Sequence, residues 1–181
     1  VLRIGELEVS GGRTIGGTSD DKKIILDGEG TLFLYVDQKV DFTAGVRINA
    51  DGDPNQIKLF YNGTNRIDIP GNVKFYGCLY SETADISMGG SGAIVGSLIT
   101  GGSSLKMTGA SGTSTDDYCA VYAPFAHVEM GGSSKIRGGV ICDKFTALGG
   151  GTEVVFIEPP WGDTPWPGTA PSGGLRIDQW K

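Results

Sequence analysis

Few residues in this 181-residue chain combine types and spacing suited to chemistry. Asp116 and Asp117 are adjacent acids closing the stretch from Gly109 to Asp117, and Arg137 follows about one repeat later. Two carboxylates and a basic side chain on one solvent face are what carbohydrate-cleaving enzymes use for general acid–base work. The other acids of this region, Glu82, Asp85, Glu129 and Asp143, stand singly. Asp116 and Asp117 therefore read as solvated loop charge, with ligand contact as the alternative, and no catalytic residue is assigned.

A second constellation is Asn49-Ala-Asp51-Gly-Asp53-Pro-Asn55, which spaces side-chain oxygens as a Ca²⁺ loop does. Counted from Asp51, however, Gln56 and Asn62 stand where an EF-hand needs Gly and Glu. Asp51, Asp53 and Asn55 remain candidate Ca²⁺ ligands, and a turn built on Asx side chains and Pro54 is the competing reading. No other cofactor is expected. His127 is the only histidine; it alternates with Ala126 and Val128, which points it outward, away from any zinc or triad role. Asn62-Gly63-Thr64 fits a glycosylation sequon and, better, a tight turn.

Trp161 and Trp166 lie in a segment, Pro159 to Pro171, that holds five of the eight prolines. Extended Pro-rich chain loses little entropy on docking, so this tail reads as a strap that lays its tryptophans over apolar surface. The same two rings, if exposed, make a platform for a ligand.

Composition narrows the partners. A net charge of −6, with no visible Lys/Arg cluster, leaves nucleic acid unexpected. No apolar run nears ~18 residues, so no membrane span is expected. Val1 in place of Met suggests a processed or excised chain. Of the three cysteines, Cys119 and Cys142 fall in adjacent repeats about four residues out of register, roughly 13 Å at ~3.3 Å per residue, too far for a disulfide.

The elements that would position these groups are short strands. Leu32–Val36 is bounded by Gly30 and Asp37, and alternation follows at Val40, Val46, Ile57, Ile67 and Val73 with no helical period. From Tyr76 the chain repeats one phrase four times: Gly77–Ser81, Gly96–Thr100, Cys119–Ala123 and Gly138–Cys142. The central aliphatics Leu79, Leu98, Val121 and Val140 are 19, 23 and 19 residues apart, and Leu34 and Leu59 extend the series upstream. Each phrase is followed by a second short element, at Ala84–Met88, Ser104–Thr108, Ala126–Met130 and Lys144–Leu148.

A period near 20 with matching residue classes predicts coils stacked rung on rung rather than a sandwich. Glycines 77, 96 and 138 are expected where the coil bends or a Cβ would clash. The expectation is an all-β, single-stranded parallel β-solenoid (β-helix) of about six coils: an N-terminal cap or edge at 1–29, repeats over 30–157, and a strap with a closing strand over 158–181.

The run Val121-Tyr-Ala-Pro-Phe-Ala126, with Val128-Glu-Met-Gly-Gly132 and then Gly138-Gly-Val-Ile-Cys-Asp-Lys144-Phe-Thr-Ala-Leu-Gly149, resembles the solenoid domains of PilX-type, type IV pilus-associated proteins and other exported bacterial surface proteins. Leu34-Tyr-Val and Gly52-Asp-Pro54 to Tyr61 resemble the opening of the same domains. The resemblance implies export, a cell-surface location and a non-catalytic role as adhesin tip or rigid spacer, with surface glycans or other pilus or surface proteins as partners. It supplies no catalytic residues. A carbohydrate-active β-helix enzyme and a self-assembling scaffold are the alternatives.

Overall fold

The computed structural model describes residues 1–10, 14–17, 23–24, 30–43, 45–50, 52–113 and 119–157. Asp51, Asp116, Asp117, Trp161 and Trp166 lie outside them, as does the whole span 158–181 assigned to the tail.

The strands run in chain order as β1 (Leu2–Val9), β2 (Thr14–Gly17), β3 (Lys23–Ile24), β4 (Leu32–Phe42) and β5 (Arg47–Ala50). A 3₁₀ turn at Pro54–Gln56 leads to β6 (Ile57–Tyr61), β7 (Ile67–Ile69), β8 (Lys74–Ser81), β9 (Ile86–Met88) and β10 (Ala93–Thr100). Then come β11 (Ser104–Met107), β12 (Gly112–Thr113), β13 (Cys119–Gly131), β14 (Lys135–Leu148) and β15 (Glu153–Val155). Every pairing among them is parallel, and from β4 onward each strand pairs with its equivalent one turn away.

The repeat read from the sequence is the register of the fold. Leu2, Leu34, Leu59, Leu79, Leu98, Val121 and Val140 stack as partners in one ladder, so five complete turns separate Leu34 from Val140. The protein is a parallel β-solenoid. A second face stacks Ile67, Ile86, Leu105, Val128 and Phe145. A third stacks Ile48 on Phe75 and Ile94, then Ile136 on Val154. β1 pairs with β4 at the N-terminal end of this ladder.

Alternation explains which residues fill the core. Along β8 the burial pattern alternates from Phe75 to Ser81, so Phe75, Gly77, Leu79 and Ser81 face inward. Each inward aliphatic stacks on its equivalent ~4.8 Å away, and full burial of such a side chain stabilises by about 1.5–3 kcal/mol. The columns of the second face end in methionine three times: Met88, Met107 and Met130 lie in register and are all buried. Their unbranched side chains fill the space near the turn.

Glycine enters where two turns cross closely. Gly96 has φ +123° and Gly138 φ +133°, and a Cβ at either would run into the carbonyl of its neighbour one turn back, Gly77 or Cys119. Two inward polar groups are consumed at a corner. Thr100 and Ser81 are partners and are buried; Thr100 Oγ1 donates to the Ala84 carbonyl at 2.7 Å, while Ser81 Oγ accepts from Ala84 N at 2.9 Å.

The 23-residue step also has a place. Gly96 pairs with Cys119 and Ile94 with Thr113, so two residues of one turn match six of the next. The extra four fall between Thr113 and Cys119. A second irregularity lies at the next corner: Ala123 to His127 spans four positions opposite two from Cys142 to Lys144. Pro124 and Phe125 bulge there, leaving Phe125 72% exposed.

Candidate functional site

The outward positions of the first face form a column in which Arg3, Tyr35, Phe60, Tyr80, Ile99, Tyr122 and Ile141 are successive partners. Alternation places them outward, since their neighbours Leu34, Leu59, Leu79 and Leu98 are buried. Parallel in-register stacking then brings the rings together. Tyr35 and Phe60 stack with centroids 4.9 Å apart and planes within 14°, and Phe60 meets Tyr80 at 5.7 Å with a 51° tilt. Phe33 lies parallel to Phe60 at 6.5 Å, and Lys58 Nζ sits 5.6 Å from the centre of the Phe33 ring.

At the N-terminal end of this column lies an open concavity of about 290 Å³ lined by Arg3, Tyr35, Asp37, Phe60, Asn62 and Tyr80, with Tyr61 beneath. Its polar rim is fixed. Arg3 grips Asp37 through two hydrogen bonds, Nε to Oδ2 at 2.8 Å and Nη2 to Oδ1 at 3.0 Å. That contact holds the Asp37 carboxyl below the usual range, so it is an anion at neutral pH. Its floor is fixed too: the Tyr61 hydroxyl donates to the Gln38 carbonyl at 2.9 Å, and Asn62 N donates to the Val36 carbonyl at 2.9 Å. Burial pushes the Tyr61 phenol up, keeping it a neutral donor.

The arrangement offers apolar ring surface beside a carboxylate, a guanidinium and an amide. No group in it is placed as a nucleophile with an adjacent base.

Of the residues singled out from the sequence, Asp53, Asn55 and His127 are described, and they fall elsewhere. Asp53 caps the 3₁₀ turn at Pro54: its Oδ1 accepts from Asn55 N at 2.8 Å and from Asn55 Nδ2 at 2.9 Å. Asn49, buried and at φ 50°, spans the same loop by donating to the Asp53 carbonyl at 2.8 Å and the Tyr76 carbonyl at 3.3 Å. Asp53 and Asn55 thus bond each other as an Asx turn does. Among the described residues no group of three His, Cys, Asp or Glu is placed to hold a metal ion. His127 points outward as expected, with Nε2 2.8 Å from Thr146 Oγ1. Asp116 and Asp117 lie outside the described residues.

Sequence reading passed over the aromatic column. Its signal was present: the residue after each ladder aliphatic is Tyr35, Phe60, Tyr80, Ile99, Tyr122 or Ile141, large and apolar at an outward position.

By its fold the protein is a parallel β-solenoid with an aromatic, non-convergent outer face. The chain belongs to the family described as Domain of unknown function (DUF7305), whose match covers residues 6–116, more than half of the 181 residues. The match begins within β1 and ends in the insertion that precedes β13. No curated protein and no solved structure matches the chain.

Proposed function

We propose that this solenoid is a non-catalytic, exported cell-surface module, pilus-associated in the manner its motifs resemble, that presents the aromatic concavity to surface glycans. The observation that carries the proposal is the column Tyr35–Phe60–Tyr80 beside Arg3, Asp37 and Asn62. A pyranose has an apolar C–H face and a rim of hydroxyls; aromatic carbon takes the first, and planar polar groups take the second. Export and surface location rest on the resemblance of Val121–Ala126 and Gly138–Gly149 to exported surface solenoids.

What supports a non-catalytic role is the work the acids already do. Asp37 holds Arg3, Asp68 holds Arg66, Glu129 holds Lys106 and Glu153 holds Lys135. Asp85 holds a turn, accepting from Ser103 N at 2.8 Å and Ser104 N at 2.9 Å. These are lattice members of the solenoid, spread along its length.

Titration against a glycan panel, with product analysis of the polysaccharides, tests the reading. Binding that is lost in Tyr80→Ala and in Asp37→Ala, with unchanged circular dichroism and no shortened polysaccharide, is the expected result. Shortened product overturns it in favour of a carbohydrate-active enzyme. Binding that survives both substitutions moves the contact away from this concavity.

A further inference from the structure

The ring column does not stop at the concavity. Beyond Tyr80 the register continues through Ile99, Tyr122 and Ile141, so large apolar side chains face outward on six successive rungs from Tyr35. At ~4.8 Å per rung, the five steps from Tyr35 to Ile141 make a ridge about 24 Å long. Tyr80 is 37% and Ile141 50% exposed, and Ile99 and Tyr122 are half-buried. Beside the ridge runs a second outward column, two residues earlier on the same strands. It shrinks along the axis, from Phe33, Lys58 and Cys78 to Ser97, Ala120 and Gly139. Ile99, Tyr122 and Ile141 therefore stand above a floor of small residues, and neither column carries a charge from Tyr80 to Ile141. On the other flank, two residues beyond the ridge, are Asp37, Asn62, Glu82 and Asp143. The other faces turn charge outward: Asp68, Lys106 and Glu129 on the second, Arg47, Lys74, Lys135 and Glu153 on the third.

On the reading that the concavity takes a glycan, we propose that the ridge is the rest of its site, binding an uncharged, linear polysaccharide laid parallel to the solenoid axis. Several sugar units are engaged at once. A chain of pyranoses repeats an apolar C–H surface along its length, and the stacked rungs repeat apolar carbon along theirs. Each contact is small, but the units are joined, so one bound unit raises the effective concentration of the next. Direction follows from the faces. A chain laid across the rungs would leave the ridge at once and meet the charged columns of the second or third face; along the axis it stays on carbon. Charge follows from the flank. Asp37 is held as an anion, Glu82 and Asp143 are exposed on the same side, and the net charge is −6, so an acidic polysaccharide is repelled. The cations nearby do not offset this: Arg3 is bound to Asp37 and Lys58 lies against the Phe33 ring, both at the N-terminal end.

Calorimetric titration of the full chain tests this with two uncharged series, cello-oligosaccharides and N-acetylated chito-oligosaccharides, from the disaccharide to the hexasaccharide. Oligogalacturonates of the same lengths are the acidic counterpart. The expected result is affinity for at least one uncharged series that climbs with length, and no binding of the acidic series. Tyr122→Ala is expected to weaken the hexasaccharide at least about fivefold and leave the disaccharide unchanged, whereas Tyr80→Ala weakens both. Affinity that is flat from the disaccharide upward, or a hexasaccharide indifferent to Tyr122→Ala, overturns the ridge and leaves the concavity as a site for a short glycan. Acidic oligomers bound as well as uncharged ones also overturn the proposal. So does the absence of binding by both uncharged series, and the glycan panel above then decides separately whether the concavity reading stands. If Tyr122→Ala does not fold, Ile141→Ser, at a position 50% exposed, takes its place with the same expected outcomes.

Discussion

Val128 and Phe145 are register partners on adjacent rungs, yet Val128 has no exposed surface while Phe145 is 42% exposed. Position in the stack, not residue type, decides what an apolar side chain contributes here. Leu105, in the middle of the same column, is sealed from both sides. Leu105→Ala is expected to cost about 2–5 kcal/mol, read as a lowered denaturation midpoint. A cost below ~1 kcal/mol is incompatible with this packing.

Gly138 and Gly150 make a matched pair. Gly138 has φ +133° and faces the Cys119 carbonyl, whereas Gly150 has open space around its missing Cβ. Gly138→Ala combines backbone strain with a steric clash and is expected to destabilise by more than ~2 kcal/mol. Gly150→Ala is expected to stay within about 0.5 kcal/mol of wild type. Thermal melts of the two variants side by side make the comparison.

Asp85 ties one turn to the next, since its Oδ1 accepts from Ser103 N and Ser104 N of the following rung. Asp85→Ala leaves both amides without that acceptor and is expected to cost about 1–3 kcal/mol. Asp85→Asn keeps an oxygen there and is expected to recover most of the loss. Equal stability of the two variants would show that the tie contributes nothing.

The cysteines should react in an order set by burial. Cys119 is buried, and desolvation pushes its thiol up to about 12; Cys78 and Cys142 are also raised, and both are half-buried. Thiolate is the reactive form, so at pH 8 Cys119 is expected to be the last labelled by a maleimide in the native protein. Peptide mapping after timed labelling gives the order. Early labelling of Cys119 contradicts its place in the core.

Acid should weaken the fold through exposed pairs. Arg3, Lys106 and Lys135 hold the carboxyls of Asp37, Glu129 and Glu153 below their usual pKa. A depressed folded-state pKa gives stability that is present above the unfolded value, ~4, and is lost as pH falls through the folded one. Melting temperature is therefore expected to be flat from pH 7 to about 5 and to fall below about 4. Because these groups are exposed, added salt should shrink the effect. A melting temperature that rises on acidification would reverse the assignment.

Much of the fold was legible because stacking repeats residue classes at a fixed offset. Leu34, Leu59, Leu79, Leu98, Val121 and Val140, aligned by type alone, are the ladder partners found. The outward course of His127 and the offset of Cys119 from Cys142 followed from the same alternation. The second face was harder. Read as blocks, Ala126 falls opposite Lys144, but the structure pairs His127 with Lys144, because the Pro124–Phe125 bulge shifts the register at the corner. The aromatic surface was harder to see for another reason. Tyr35, Phe60 and Tyr80 are 25 and 20 residues apart in sequence and become one surface only once the coil is wound. Asp53, marked in the sequence by its oxygen atoms, accepts from Asn55 within its own turn.

The in-register ladder has an arithmetic consequence. Gly77 and Gly96 are partners 19 residues apart, and every residue from Lys74 to Ser81 has its counterpart in Ala93 to Thr100. Excising 77–95 would join Tyr76 to Gly96, and each side chain would meet the same class of neighbour as before. Removing one residue fewer would turn the inward side chains out along the whole of the next strand. The length of such a chain is therefore quantised: its lineage can grow or shrink by whole turns, or at corners such as the one at Pro124 and Phe125, and hardly anywhere else.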